Sequence, residues 1–409
     1  MPPRRILFVA DEFLHPRNRG GRLETANEVE LLSATLGHDL HLLVPRDPWT
    51  TPALEHEHRS ALPVRTTFFD RPPRKRASLA RPRLPYIAAT RLPLRGETER
   101  LRALVGSEPV PDLVIAAHDF MWPLAESLSP QLDDAPIAVR SHNDEGAYFA
   151  GLVRAESRFA LRQFYRREAR RSRWLQRHLS GRVAVVAVLS EADRAAYPDA
   201  TTRFLPPVID DQAIGYRPDA AALDGRAGLL FVGALDAGLT AQGLDWFRTT
   251  VLPLLAAERP GTRLRVVGRG APAALQRSLR ADPGIDYVGE VDDLDPEFAA
   301  ARVFVNPVLG GSGVNMKIGG PAKRGIPIVT NELGARGFDK LRNGLTIADT
   351  PAAFAAECAR LLADDQLWNL KSRALQSAFD DHYAAHAVAS VYDALVEEFS
   401  TLTGGAAQS

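Results

Sequence analysis

The chain has a single cysteine, Cys358, in 409 residues. One thiol excludes an internal disulfide and any zinc site built on cysteines, and it suits a reducing compartment. There is no net charge, with 50 Lys and Arg against 50 Asp and Glu. That balance excludes a surface built throughout for nucleic acid, so no nucleic-acid partner is expected, although a local basic patch is compatible with it. Long apolar runs are missing as well. The longest, Val183–Leu189, is far below the roughly 20 residues of a spanning helix. Near the start, basic residues precede an apolar stretch, Ile6–Ala10, that Asp11 and Glu12 end; a signal peptide needs a longer one. The expected location is the cytoplasm, with any membrane contact peripheral and at the inner face. What remains, 45% hydrophobic and 24% charged residues, is ordinary for a folded soluble protein, and the length predicts two domains.

What is present is an alternation. Short runs rich in Val, Ile and Leu read as parallel strands buried on both faces. In the first half they are 5–10, 40–44, 64–68, 113–117, 137–140 and 183–189; in the second, 228–232, 263–267, 285–288, 303–306, 326–330 and 345–348. Helical stretches lie between most of them, at 23–36, 154–179, 242–258, 351–363 and 366–379. Strand–helix alternation on both sides of the midpoint predicts an α/β protein of two doubly wound units. The joint falls near Pro206–Asp224, which is polar and turn-rich. Domains are expected over 1–207 and 225–385, with a helix at 386–400 packing back on the first and a frayed GGAAQS end.

Two basic features stand out. Arg71–Arg95 holds seven Arg and one Lys among prolines and has no periodicity. It reads either as a solvated loop or as one that meets an acceptor or an anionic surface. Arg154, Arg158, Arg162, Arg166 and Arg170 recur every four residues, so one helix there would carry them on one side. A solvated face and an anionic partner are both open.

Three places carry groups suited to chemistry. The loop after the first strand ends in Gly20-Gly21 just before a helix. Paired glycines let a ligand approach the backbone, and the free N–H groups of a helix start favour an anion; a plain turn is the other reading, and the GxGxxG fingerprint is absent. His118 and His142 each sit just past a strand end, where open α/β sheets bind ligands. A histidine there can bond hydroxyls or move protons, or merely cap a loop. Most specific is NPVLGGSGVNMK, in which a strand ending at Asn306 runs into Gly310-Gly311-Ser312-Gly313 and then a short helix with Lys317 one turn inside. Such a turn offers several N–H donors to a phosphate, and Lys317 would neutralise it.

A family resemblance rests on LLFVGALDAGLTAQGLDWF, TRLRVVGRG, IDYVGEVDDLDPEFAAARVFVNPVLGGSGVNMK, GIPIVTNELGARGF and NGLTIADTPAAFAAECARLLAD, in that order over most of 228–365. The Gly20-Gly21 loop, LGHDLHLLVP, RSHND and VLSEAD extend it more weakly into the first half. Together these resemble GT-B glycosyltransferases of family 4, the glycosyl transferases group 1. The resemblance implies two Rossmann-like domains facing a cleft, with a nucleotide-sugar donor on the C-terminal one and an acceptor on the N-terminal one. It implies a transferase that retains anomeric configuration and needs neither metal nor cofactor beyond its co-substrate. Gly20 and Gly21 would lie near the donor diphosphate, His142 would contact the transferred sugar with His118 beside it, and Lys317 would neutralise the diphosphate. Gly233, Arg269, Gly310, Gly311, Ser312, Gly313, Val314 and Asn315 complete the implied donor set.

The sequence also departs from the family. The motif's two glutamates, separated by seven residues, correspond to Ser312 and Gly320; the second binds the donor ribose in the family. Gly319, Gly320 and Pro321 interrupt the family's helix, and interior Gly costs about 1 kcal/mol and Pro about 3 kcal/mol against Ala, so a short or kinked helix is expected. The Arg and Lys usual after the domain's first strand are replaced by Ala234–Ala237, leaving Lys317, Arg269 and Arg336 to supply charge. The expected function is transfer of a sugar from a UDP- or GDP-linked donor to a hydroxyl of a glycan, lipid-linked or small-molecule acceptor. A nucleotide-sugar epimerase, a cyclitol-coupling transferase and a silent binding protein on the same scaffold are the alternatives.

Overall fold

In the computed structural model all twelve apolar runs form strands, and every strand pairing is parallel. The structure describes residues 2–16, 20–47, 49–72, 81–209, 223, 225–311 and 313–400. Ser312, most of the Pro206–Asp224 joint, residues 73–80 of Arg71–Arg95 and the GGAAQS end lie outside the described residues. The chain divides into two units: residues up to Val208 together with the segment from Ala385 onward, and Ile209–Ala384.

The first unit is built on β1 (Arg5–Val9), β2 (Asp39–Pro45), β3 (Arg65–Phe69), β4 (Leu113–Ala116), β5 (Ile137–Ser141), β6 (Val185–Val188) and β7 (Thr202–Phe204). Their order is β3-β2-β1-β4-β5-β6-β7. β7 has no apolar run and was not expected from the sequence; it is a three-residue edge strand whose backbone bonds alone join it to β6. Apolar side chains fill both faces of the sheet. On one face Ile6, Phe8, Leu40 and Leu42 pack with Val388, Tyr392, Val396 and Phe399 of the last helix, Ala385–Ser400; Leu7, Val9, Val114 and Val139 lie in the core of the other. This two-sided burial is why the strands read as continuous rather than alternating runs.

The second unit carries β8 (Ala227–Val232), β9 (Leu264–Val267), β10 (Ile285–Gly289), β11 (Ala301–Asn306), β12 (Ile328–Thr330) and β13 (Thr346–Ile347), ordered β10-β9-β8-β11-β12-β13. Both sheets therefore reverse direction beside their first strand. Those points, between β1 and β4 and between β8 and β11, are where doubly wound sheets take ligands.

One helical expectation is corrected and another holds. The stretch 154–179 is two helices, Glu145–Ala155 and Phe159–Ser180. Asp144 caps the first by accepting from the Ala147 N–H, and Glu156 ends it by accepting the backbone N–H of Arg158 at 2.9 Å and its guanidinium at 2.9 Å. The expected arginine stripe is thereby broken: Arg154 lies on one helix, Arg158 caps the next, and Arg162, Arg166 and Arg170 follow inside it. The helix after β11 is short, as the Gly-Gly-Pro run requires, with a 3-10 turn at Met316–Ile318 leading into only Gly319–Lys323.

At the carboxyl ends of β8 and β9 the backbones touch. The Gly233 N–H donates to Val267 O at 3.0 Å, and a Cβ placed on Gly268 would lie 1.9 Å from Gly233 O. Gly268→Ala must therefore push these two strand ends apart. It is expected to destabilise the second unit by about 1–3 kcal/mol, read as a lower urea midpoint.

Candidate active site

The first unit gathers its polar groups at the ends of β1, β4 and β5. Arg140 and His142 are two residues apart on β5 and its exit, so they share one side of the strand. Glu24 and Glu28 are four apart on the helix Gly20–Glu30, so they too share a face. The two faces meet. Arg140, 1% exposed, donates from Nη2 to Glu24 Oε1 at 2.7 Å and from Nη1 to Leu205 O at 3.1 Å, and its Nε lies 3.5 Å from Glu28 Oε1. The other oxygen of Glu24 faces His142 Nε2 at 3.4 Å. Burial pushes the Glu28 carboxyl up to about 8, so it is protonated at neutral pH. Burial likewise pushes His142 down to about 4, with Glu24 acting the other way. His142 is thus a neutral imidazole at pH 7. Ligand atoms of Glu24, Glu28 and His142 lie within 4.8 Å of one another, a spacing that suits a metal. The Arg140 guanidinium already sits against the Glu24 carboxylate and the Glu28 carboxyl, and a second cation there would meet its charge.

His118 is beside this group, its ring centroid 5.2 Å from that of His142. Asp119 Oδ1 lies 2.8 Å from its Nδ1, Glu145 Oε1 lies 3.8 Å from its Nε2, and Phe120 stacks on it at 3.8 Å. Burial works against protonation here, but the Asp119 hydrogen bond and charge, with Glu145 and Asp11, outweigh it and hold His118 above its ordinary value. Burial raises Glu145 to about 7. Tyr197 OH donates to Asp119 Oδ2 at 3.2 Å and lies 2.9 Å from Ser141 Oγ, locking the loop after β4 to the end of β5. The two neighbouring histidines are therefore pushed in opposite directions, His118 up and His142 down. Gly20 and Gly21 form the first residues of the helix that carries Glu24, and a Cβ on Gly21 would meet Glu12 Oε1 at an ordinary 3.8 Å.

In the second unit the site residues converge on the end of β8. Gly233 follows that strand, and the helix Gly238–Trp246 begins five residues later. Lys317, arriving from the β11 side, donates from Nζ to Thr240 Oγ1 at 3.0 Å, lies 5.8 Å from the centre of the Phe231 ring and sits 3.3 Å from where a Gly233 Cβ would be. Burial pushes its ammonium down to about 8. Gly310 rests on Leu239 of the same helix start, its would-be Cβ 3.2 Å from Leu239 Cδ2. Gly311 and Gly313 have φ of 118° and 87°, a left-handed backbone that glycine adopts freely. The turn, the lysine and a helix start thus meet at the point where the sheet order reverses.

Other expected donor residues play backbone or packing roles. Val314 packs on Gly337, whose would-be Cβ lies 2.2 Å from Val314 Cγ2. Asn315 precedes the 3-10 turn, its carbonyl accepting from the Ile318 N–H at 3.1 Å. Arg269 is half-buried after β9 and accepts the Leu235 N–H on its carbonyl at 2.8 Å. At Gly320 a Cβ would lie 3.1 Å from Phe298 Cζ, and Arg324 stacks on that ring at 4.7 Å while donating to Gly320 O at 3.1 Å.

Sequence reading missed Glu24, Glu28, Arg140, Asp119, Tyr197 and Thr240. The period-2 spacing of Arg140 and His142 and the i, i+4 spacing of Glu24 and Glu28 were available signals; that the two pairs oppose one another was not.

Two doubly wound parallel units, each with its polar groups at the reversal of strand order, define the GT-B fold. Residues 226–364 match the family described as glycosyl transferases group 1. The chain is 24% identical over 357 residues, 81% of its length and 84% of the other's, to an uncharacterized 44.6 kDa protein in the cps region of Klebsiella pneumoniae. Among solved structures it is similar to Anabaena HepE in complex with UDP and glucose, at 12% identity and a TM-score of 0.64, covering 97% of this chain and 100% of that one. Sucrose-phosphate synthase of Thermosynechococcus elongatus matches at 16% identity and a TM-score of 0.66, covering 97% of this chain and 98% of that one.

Two outcomes follow for the first unit. In histidine NMR, His142 is expected to titrate near pH 4 and His118 above its ordinary value, and Glu24→Gln is expected to move His142 lower still, because the Glu24 charge favours the imidazolium. Arg140→Ala leaves two buried carboxyl groups without their cation and is expected to cost about 3–5 kcal/mol, measured by urea unfolding.

Proposed function

We propose that this protein is a glycosyltransferase that moves a sugar from a nucleotide-sugar donor, UDP- or GDP-linked, to a hydroxyl of a glycan, lipid-linked or small-molecule acceptor, with retention and without a metal ion. The observation that carries the reading is the meeting of Lys317, Thr240, Gly233 and the 310–313 turn at the ends of β8 and β11. A leaving nucleoside diphosphate gains negative charge in the transition state, and an ammonium with backbone N–H donors lowers the barrier by meeting it. HepE, of similar fold, was solved with UDP and glucose, which favours UDP.

His142 is the proposed contact to the transferred sugar, with His118 beside it. A neutral imidazole, its Nε2 3.4 Å from Glu24 Oε2, keeps one ring nitrogen as an acceptor, suited to a sugar hydroxyl. Gly20 and Gly21 are the proposed neighbours of the diphosphate. Among the described residues no helix is long and apolar enough to cross a membrane; a cytoplasmic protein with peripheral contact to an anionic membrane is part of the proposal. A second reading, a GT-B protein that binds donor without transferring it, draws on Gly320, where packing against Phe298 takes the place of a ribose-binding carboxylate.

The test is a thermal-shift series with UDP and GDP, since a ligand that binds only the folded state raises its stability. Lys317→Ala is expected to weaken nucleoside-diphosphate binding about 10- to 100-fold, the worth of one charge-assisted hydrogen bond; unchanged affinity would remove the assignment. The affinity of the parent should fall as pH rises through about 8, where the ammonium of the free protein loses its proton. Incubation with labelled nucleotide sugar separates the readings: a glycosylated acceptor supports transfer, and binding without product supports the silent protein.

A further inference from the structure

The helix Phe159–Ser180 divides its side chains sharply. Glu168, Ala169, Ser172, Leu175, Gln176, Leu179 and Ser180 are buried. Outward stand Arg166, Arg167, Arg170, Arg173 and Arg177. The helix's one acid, Glu168, is buried and holds Arg171 at 3.0 Å. Among the described residues the five outward arginines make no ion pair or side-chain hydrogen bond. Like charges at such spacing repel one another on a helix, and a chain with equal numbers of acids and bases has had every means to neutralise them.

Apolar rings stand out among them. Phe159 is 68% exposed and Trp174 40% exposed on the same side as Arg166, Arg170 and Arg177, and Phe164 flanks them at 39%. From Phe159 to Arg177 the face runs about 27 Å at 1.5 Å per residue. Arginines whose stems lie along the surface, interleaved with Phe and Trp, match the boundary between lipid headgroups and acyl chains, where the guanidinium groups meet anionic lipid and the rings sit at headgroup depth.

We propose that the outward face of Phe159–Ser180 docks this protein on an anionic lipid bilayer, through Arg166, Arg170, Arg173 and Arg177 with Phe159 and Trp174 inserted between headgroups. The face is independent of the donor site; where the glycosyl-transfer reading also holds, it favours the lipid-linked acceptor among the three named.

The test is flotation of the full chain with vesicles of phosphatidylcholine alone and of phosphatidylcholine mixed with phosphatidylglycerol. The parent is expected to float with the anionic vesicles only, and less as salt rises. The quadruple variant R166Q/R170Q/R173Q/R177Q is expected to lose at least about tenfold in vesicle affinity, and F159S/W174S to weaken the binding that persists at high salt. Because all six positions are exposed, thermal unfolding and the shift with UDP should match the parent in both variants, so that failure here and failure of the donor-site reading are told apart. A parent that ignores anionic vesicles, a quadruple variant that floats like the parent, or tighter binding to single-stranded RNA than to vesicles would each overturn the proposal.

Discussion

Lys317 is a cation that the second unit holds largely out of water with no carboxylate beside it among the described residues. Its partners are a hydroxyl and a ring face, and burial alone lowers its proton affinity. Keeping an ammonium under those conditions costs free energy that an anion at the ends of β8 and β11 returns. The first unit treats its buried cation in the opposite way. Arg140 meets Glu24 at 2.7 Å and Glu28 at 3.5 Å, so its charge is answered within the unit. One buried cation is answered by acids of its own unit and the other, among the described residues, is not. That difference, more than the presence of glycines, argues for the second unit as the place of a diphosphate.

The strands were legible because two-sided burial leaves an unbroken apolar run, and that signal does not depend on the neighbours a strand acquires. Where burial is slight the signal vanishes, as in β7, which pairs with β6 and is otherwise tied by Arg194 and Arg203. The helix expected at 154–179 failed for a local reason: Glu156 bonds forward to Arg158 and turns the chain, which a periodic pattern averages over. At the site, His118, His142 and Lys317 were visible because strand ends in doubly wound sheets are privileged positions. Their electrical states were not. That His142 is pushed down while His118, 5.2 Å away, is pushed up follows from Asp119 and Glu145 lying against one ring and from burial dominating the other.

Net charge concealed as much as it revealed. A sum of zero was consistent with arginines paired everywhere, and many are: Arg265 with Glu297 and Asp286, Arg324 with Asp295, Arg342 with Glu332. On the outward face of Phe159–Ser180, by contrast, no acid stands among the arginines. Distribution, which only the fold supplies, decides whether a neutral chain presents a charged surface.

Gly320 brings the packing and the chemistry of the second unit into conflict. Phe298 fills the space above it, is itself 5% exposed, and is held by Arg324, whose guanidinium stacks on the ring and bonds Gly320 O. A side chain at position 320 would have to displace that ring, which the arginine and the surrounding core both oppose. The Gly–Phe–Arg stack therefore trades a polar group aimed at a nucleotide for apolar packing. On the proposed reading, recognition of ribose and base falls on whatever backbone groups the strand ends offer, while Lys317, Gly311 and Gly313 are untouched by the exchange. A site altered in that way should read the diphosphate strongly and the nucleoside weakly, since the interactions that survive are those between a cation, N–H dipoles and the charged part of the ligand.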